Sequence, residues 1–267
     1  MLPFKKILFP IDYSDICRAS VPYVNEMTGH FSAHLTVVHA YTNTDWLKQV
    51  EEREERQLTE FVADAFPTRV VDAFLEEADP ASAIDKMVRK QEPDLVMIPN
   101  HGVNAIGRLY DGSLTEKVLH DIRTAVWTWS GWPLVGHPPE VSCKSLVCAM
   151  NFGEETETVL RAGATLASSY NARLSLVHVV ETSERHLINA ANDRLLACKH
   201  KLGITAPHKI LSGNTAGAIR QEAVQEEADL IVVGRGLSQG MLTRFMSQLY
   251  EIVCASPCPV LSIGSEI

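Results

Sequence analysis

Three short stretches of this chain carry residue types that could bind an anion and a hydroxyl-bearing ligand together. Pro10-Ile11-Asp12 closes an apolar run and ends it on a carboxylate. A second apolar run closes at Ile98 and continues Pro99-Asn100-His101-Gly102. Nine residues later Gly112-Ser113 opens a helical pattern that goes on through Leu114 to Val118. Free N–H groups at a helix start attract anions, and glycine lets the backbone approach a phosphate closely. Ser113 adds a hydroxyl donor. Asp12 has the chemistry to accept hydrogen bonds from ribose hydroxyls or from a base. Each group also has a plainer reading. Gly112-Ser113 caps a helix, Asp12 holds a turn, and His101 is a loop histidine or one that touches phosphate.

The elements that must position these groups are legible because the chain repeats itself. Ala33-His34-Leu35-Thr36-Val37-Val38-His39 returns 139 positions later as Ala172-Arg173-Leu174-Ser175-Leu176-Val177-His178. Ile7-Leu8-Phe9-Pro10-Ile11-Asp12 returns at the same offset as Leu146-Val147-Cys148-Ala149-Met150-Asn151. Further on, Asp94 to Ile98 matches Asp229 to Val233, now 135 positions apart. A four-residue loop difference accounts for the change of offset. In the first copy the pattern predicts strands over 5–11, 34–40, 69–75, 94–98 and 125–129. Helices are predicted over 15–30, 44–66, 80–91 and 113–122, the first capped by Ser14 or Asp15. Strands alternating with helices of this length predict βαβ units and a parallel sheet, buried on both faces because its strands are almost continuously apolar. The expected architecture is α/β: two tandem open-twisted parallel five-stranded sheets flanked by helices. The expected domains are 1–129 and 144–267, joined by a Pro- and Gly-containing linker at 130–143.

Composition narrows the partners. With 46% hydrophobic and 21% charged residues the chain is an ordinary globular sequence. A net charge of -9 repels phosphate backbones and anionic lipid, so neither nucleic acid nor a membrane surface is an expected partner. No apolar run reaches the ~18 residues that span a bilayer. The six cysteines form no CxxC pair and read as reduced and structural, which points to the cytoplasm. The run Glu51 to Glu60 reads as a solvated helix face. His39 and His178 occupy equivalent strand ends, which suggests a structural role for both. Trp127, Trp129 and Trp132 read as packing or as a partner surface. No Walker lysine, GxSxG elbow, HExxH pair or clearly spaced carboxylate pair argues for catalysis.

These residues resemble the universal stress proteins, whose nucleotide-binding members carry Gly, two residues, Gly, nine residues, Gly and then Ser or Thr. Gly102, Gly112 and Ser113 match that pattern. Pro99 stands where its first glycine would be, and proline brings no N–H and a fixed φ. The resemblance covers nearly the whole chain and implies the adenine nucleotide alpha hydrolase-like fold. It implies an adenine nucleotide, foremost ATP, at Pro10, Asp12, Val38, Ile98, His101, Gly102, Gly112, Ser113 and Leu114. Any Mg²⁺ would be held by the phosphates. In the second copy the motif falls on Gly234, Leu237, Ser247 and Gln248, and Asp12 becomes Asn151, so a weakened or altered site is expected there. That pocket could take a different small ligand, such as a lipid or a cyclic nucleotide. The implied role is a nucleotide-dependent stress-response regulator, with slow ATP hydrolysis at most. The alternative is a nucleotide-free interaction protein acting through protein partners. The copies are expected to pack as an intrachain pseudo-dimer, with a further homodimer open.

Overall fold

The structure, a computed structural model, describes residues 4–42, 49–100, 114–130, 141–235 and 242–264. The side chains of Gln49 and of residues 242–247 are not described. The chain divides into two compact units, built on Phe4–Trp127 and on Ser142–Ile267.

In the first unit β1 (Lys6–Ile11), β2 (His34–Tyr41), β3 (Val71–Glu77), β4 (Leu95–Pro99) and β5 (Ala125–Trp129) lie in the order β3-β2-β1-β4-β5. Between them run α1 (Asp15–Phe31), α2 (Gln49–Ala65), α3 (Pro80–Gln91) and α4 (Leu114–Asp121). The second unit repeats this with β6 (Ser145–Met150), α5 (Thr156–Tyr170), β7 (Arg173–Val180), α6 (Arg185–Leu202), β8 (His208–Ser212), α7 (Thr215–Gln225), β9 (Leu230–Gly234), α8 (Leu242–Ala255) and β10 (Val260–Ile263). Its order is β10-β9-β6-β7-β8. Both sheets are therefore doubly wound. The strand order reverses between β1 and β4, and again between β6 and β9, which is where open α/β sheets leave a crevice beyond their strand ends.

The repeat extends to register and to single hydrogen bonds. Lys6 faces His34 as Ser145 faces Arg173, and Ile7 faces Leu95 as Leu146 faces Leu230. Asp94 accepts from the N–H groups of Lys5 and Lys6 at 2.7 and 3.1 Å. Asp229 does the same for Lys144 and Ser145 at 2.6 and 3.0 Å. Asp79 caps α3 ahead of Pro80, and Asn214 caps α7 ahead of Thr215. The six described non-glycine residues at positive φ also fall into three pairs at the repeat offsets: Tyr13 with Phe152, Ser32 with Asn171, and Glu92 with Glu227.

Strands β1, β4, β5, β6 and β9 are almost wholly buried, as expected for sheets covered on both faces. Phe4, Phe9, Phe66 and Trp127 fill the first core, with Phe9 and Phe66 edge to face at 6.4 Å. Trp127 and Trp129 are buried, while Trp132 lies outside the described residues. Ser14 is the N-cap of α1, its hydroxyl accepting from the N–H of Cys17. One expectation needs correcting. Glu54, inside the charge run, is not solvated but 8% exposed, because α2 turns it onto the sheet, where it faces His39 at 3.5 Å.

Candidate functional site

The end of β1 is organised around Asp12. Its Oδ1 accepts from the Ser14 N–H at 3.1 Å and from the Ser14 hydroxyl at 2.6 Å, while that hydroxyl caps α1. The turn reading of Asp12 is thus realised, and the side chain also lines a cavity. This cavity, about 220 Å³, opens beyond the carboxyl ends of β1, β2 and β4. Pro10, Ile11 and Asp12 come from β1 and its end, Val38 and Ala40 from β2, and Ile98, Pro99 and Asn100 from the end of β4. Helix α3 closes one wall with Pro80, Ala83 and Ile84, and α4 contributes Leu114 and Thr115. The structure thus brings Pro10, Asp12, Val38, Ile98 and Leu114 to one cavity. His101, Gly102, Gly112 and Ser113 lie outside the described residues. Sequence reasoning quoted Asn100, which is 1% exposed, within its stretch but gave it no role, and gave none to Thr115, 3% exposed. A polar residue directly after a buried strand was the available signal.

Below this rim the chain turns through Tyr13 at φ 61°, whose ring lies 4.4 Å from that of His39. The His39 Nδ1–H donates to the Ile11 carbonyl at 2.9 Å. Burial pushes the Tyr13 phenol well above its usual value, and the Glu54 charge adds to the shift. The second unit copies the arrangement with different chemistry. Phe152, at φ 59°, lies 4.3 Å from His178, and the Arg194 guanidinium stands 4.6 Å from its ring centre. The His178 Nδ1–H donates to the Met150 carbonyl at 2.8 Å. Burial holds the His178 imidazole below its usual value, with Arg194 acting in the same direction. Both histidines thus brace strand 1 against strand 2, the structural role their equivalence suggests.

The second unit has a cavity at the equivalent place, and it is not filled in: its volume is about 270 Å³. Ala149, Met150 and Asn151 line it from β6 and its end, His178, Val179 and Glu181 from β7 and its end, and Val233, Gly234 and Arg235 from the end of β9. Thr215 and Ile219 of α7 and Gln248, Leu249 and Ile252 of α8 complete it. Gly234 and Gln248, two of the positions carrying the degraded motif, are thus at this cavity. Leu237 and the Ser247 side chain are outside the described residues. Arg235 was not foreseen. It is 3% exposed, and burial lowers its guanidinium to about 10. A carboxylate has also reappeared nearby. Glu155 is 3% exposed, and its Oε1 makes no hydrogen bond. It packs so closely on Gly234 that a Cβ there would come within 2.6 Å of the Glu155 Cγ. The Glu155 side chain, together with Val159 Cγ2, occupies the space a side chain at Gly234 would need.

Among the described residues no three His, Cys, Asp or Glu side chains converge as a metal site, and no helix is long and apolar enough to cross a membrane. All six cysteines are free thiols, and burial raises Cys17, Cys148 and Cys258 to about 12.

Comparison with known proteins gives concordant results. A model described as the universal stress protein family matches residues 3–128 and again 143–263. A Thermus aquaticus protein, described as a universal stress protein in the QAH/OAS sulfhydrylase 3′ region, is 31% identical over 126 residues; this covers 43% of the present chain and 91% of that protein. A universal stress protein from Archaeoglobus fulgidus superposes with a TM-score of 0.71 at 18% identity, covering 97% of this chain and 96% of its own. A Pseudomonas aeruginosa structure described as a universal stress protein gives 0.68 at 14% identity, covering 98% and 93%. At these identities the two structures establish the fold alone.

Proposed function

The chain belongs to the universal stress protein family, and from that premise we propose that its first unit binds an adenine nucleotide, foremost ATP, in the crevice between β1 and β4. The observation that carries this reading is the Asp12 carboxylate at the rim of a cavity placed at the reversal of strand order. Small-molecule sites usually span roughly 300–1,000 Å³. A cavity of about 220 Å³ would therefore enclose the base and ribose and leave the phosphates at its rim. Val38 and Ile98 offer the apolar surface and backbone groups that suit a base, and Asp12 offers the acceptor that suits ribose hydroxyls. Gly102, Gly112 and Ser113 are the motif residues for the phosphates, with Mg²⁺ carried by the phosphates themselves. The role is regulatory: nucleotide stabilises one state of the unit and a protein partner reads it, with hydrolysis at most slow.

The test is mass spectrometry of small molecules released by denaturing freshly purified protein, followed by calorimetric titration of ATP. About one nucleotide per chain is expected. Saturation at 100 times Kd should raise unfolding stability by about 2.7 kcal/mol. No released nucleotide and no thermal shift with ATP and Mg²⁺ would favour the nucleotide-free interaction protein. Pro99 is the observation on that side, since it lines the cavity without an N–H to offer.

A further inference from the structure

In each unit the helix that follows the second strand lies against a histidine, and the two helices bring opposite charge to it. In the first unit α2 is rich in carboxylates and sets Glu54 3.5 Å from His39 Nε2, while Arg53 holds the other oxygen of that carboxylate at 2.7 Å. In the second unit α6 carries Arg185, Arg194, Lys199 and Lys201 against one acid, Asp193. Arg194 stands over Phe152, whose ring lies 4.3 Å from that of His178 on β7, and Lys199 faces His208 on β8. We propose that α6 is an acid-released latch: protonation of His178 and His208 sets two positive charges against Arg194 and Lys199 and frees the helix from β7 and β8, while α2 stays docked in the first unit.

Hydrogen bonding fixes the neutral form of both rings. The Lys199 ammonium can only donate, so His208 Nδ1 accepts from it at 3.1 Å, and the Nε2–H donates to Asn192 Oδ1 at 3.0 Å. Both bonds join α6 to β8. A second proton on this ring turns the acceptor into a donor facing an ammonium, so a bond is lost and a like-charge pair replaces it. His178 gives its Nδ1–H to the Met150 carbonyl at 2.8 Å, and a second proton brings charge towards Arg194, itself anchored on the Phe152 carbonyl at 3.0 Å. Burial, and then the facing cation, lowers both imidazoles below the usual 6.5. The released helix therefore leaves its histidines freer to bind protons than the docked one does. The latch is complete above pH 6.5 and is lost as pH falls through the lower docked values.

The surrounding charges leave this balance in place. Beside His208, Lys209 turns to Glu222 and Glu226 of α7. Around His178, Glu181 and Arg235 line the neighbouring cavity with opposite signs, buried Glu155 lies against Gly234, and Arg194 is the charge that acts on the ring. On α6 itself His186 and His200 are exposed, His186 beside Glu184. From α5, Glu157 pairs with Lys201 near the surface, where an ion pair contributes little. Leu195 is the one side chain that α6 buries fully, whereas α2 buries Leu58 and Phe61, and a proton on His39 would meet the Glu54 carboxylate.

The test is hydrogen exchange of the full chain, read by mass spectrometry at pH 7.5 and 5.5 and corrected for the intrinsic chemical rate at each pH. A helix of 18 residues is marginal in water once undocked, so its amides report release. Protection of α6 should fall about tenfold at the lower pH, while α2, α5 and α7 change by less than about threefold. His208→Gln offers an amide oxygen to Lys199 and an amide N–H to Asn192 without titrating. Combined with His178→Asn, it should hold α6 protection at pH 5.5 within about threefold of its value at pH 7.5. Lys199→Gln is the second arm should that pair fail to fold, and removing this cation should cut the loss in α6 to about a third. Unchanged α6 protection at pH 5.5, an equal loss across α5 and α7, or an undiminished loss in either variant overturns the proposal.

Discussion

Asp12→Asn separates the ligand role of Asp12 from its structural role, because the protein already contains the control. In the second unit the equivalent residue is Asn151, and its Oδ1 accepts the Gly153 N–H at 2.8 Å. This is the same turn that Asp12 makes with Ser14 at 3.1 Å. An asparagine at 12 therefore keeps the acceptor, the turn and the cap of α1. The Asp12 side chain is exposed, so loss of its charge costs the fold little, and the stability change should stay within about 0.5 kcal/mol. The ligand would feel more. A hydrogen bond to a charged group contributes about 1.5–3 kcal/mol, and one asparagine position donates where the carboxylate accepted. At 1.4 kcal/mol per decade, ATP affinity should fall roughly 10- to 150-fold. Calorimetric titration reads the affinity and urea unfolding reads the fold. A Kd within threefold of the parent, with stability unchanged, would show that Asp12 does not touch the nucleotide and would sink the β1/β4 assignment.

Further predictions follow from packing and titration. Gly234→Ala should destabilise the second unit by about 1–3 kcal/mol, since the new methyl would meet Glu155 Cγ at 2.6 Å and Val159 Cγ2 at 3.0 Å. Adding Glu155→Ala should recover a good part of that loss in a double-mutant cycle, and simple additivity would refute the contact. His178 binds protons more weakly folded than unfolded, so its contribution is complete above the unfolded value near 6.5 and is lost as pH falls below it. Thermal midpoints should therefore fall between pH 7 and 5, with a shallower slope in His178→Asn; an identical slope would remove His178 from the account. Under native conditions at pH 8, Ellman's reagent should label Cys143, Cys198 and Cys254 and leave Cys17, Cys148 and Cys258 until denaturant is added. Rapid labelling of more than three thiols would contradict the packing around strands β6 and β10 and helix α1.

The fold was legible because burial on both faces writes itself into composition. Runs such as Leu95 to Ile98 and Leu230 to Val233 have no polar phase to hide in, and the internal repeat confirms each against its copy. The site was legible only at strand ends. Asp12, Val38 and Ile98 are found by walking to the end of an apolar run, whereas Ile84, Thr115 and Thr215 reach the cavities through helix docking, which periodicity does not report. Glu54 and Arg235 were misread or missed for a common reason. A charged side chain reads as solvated until the tertiary fold decides where it points, and here α2 and the end of β9 turn these two inward. Writing the copies side by side does expose Arg235 opposite Asn100, but not its burial.

The paired left-handed residues carry a practical consequence. An L-residue held in that region costs about 1–2 kcal/mol, yet Tyr13, Ser32 and Glu92 and their counterparts Phe152, Asn171 and Glu227 all keep it, although only the Glu92–Glu227 pair is identical. What duplication preserved at these corners is the path of the main chain. The path tolerates a change of side chain, as Ser32 and Asn171 show. Transplanting residues 12–16 into 151–155, together with Arg235→Asn, would ask the second unit to host the first unit's chemistry without rerouting its backbone, turning one chain into a pair of matched receptors.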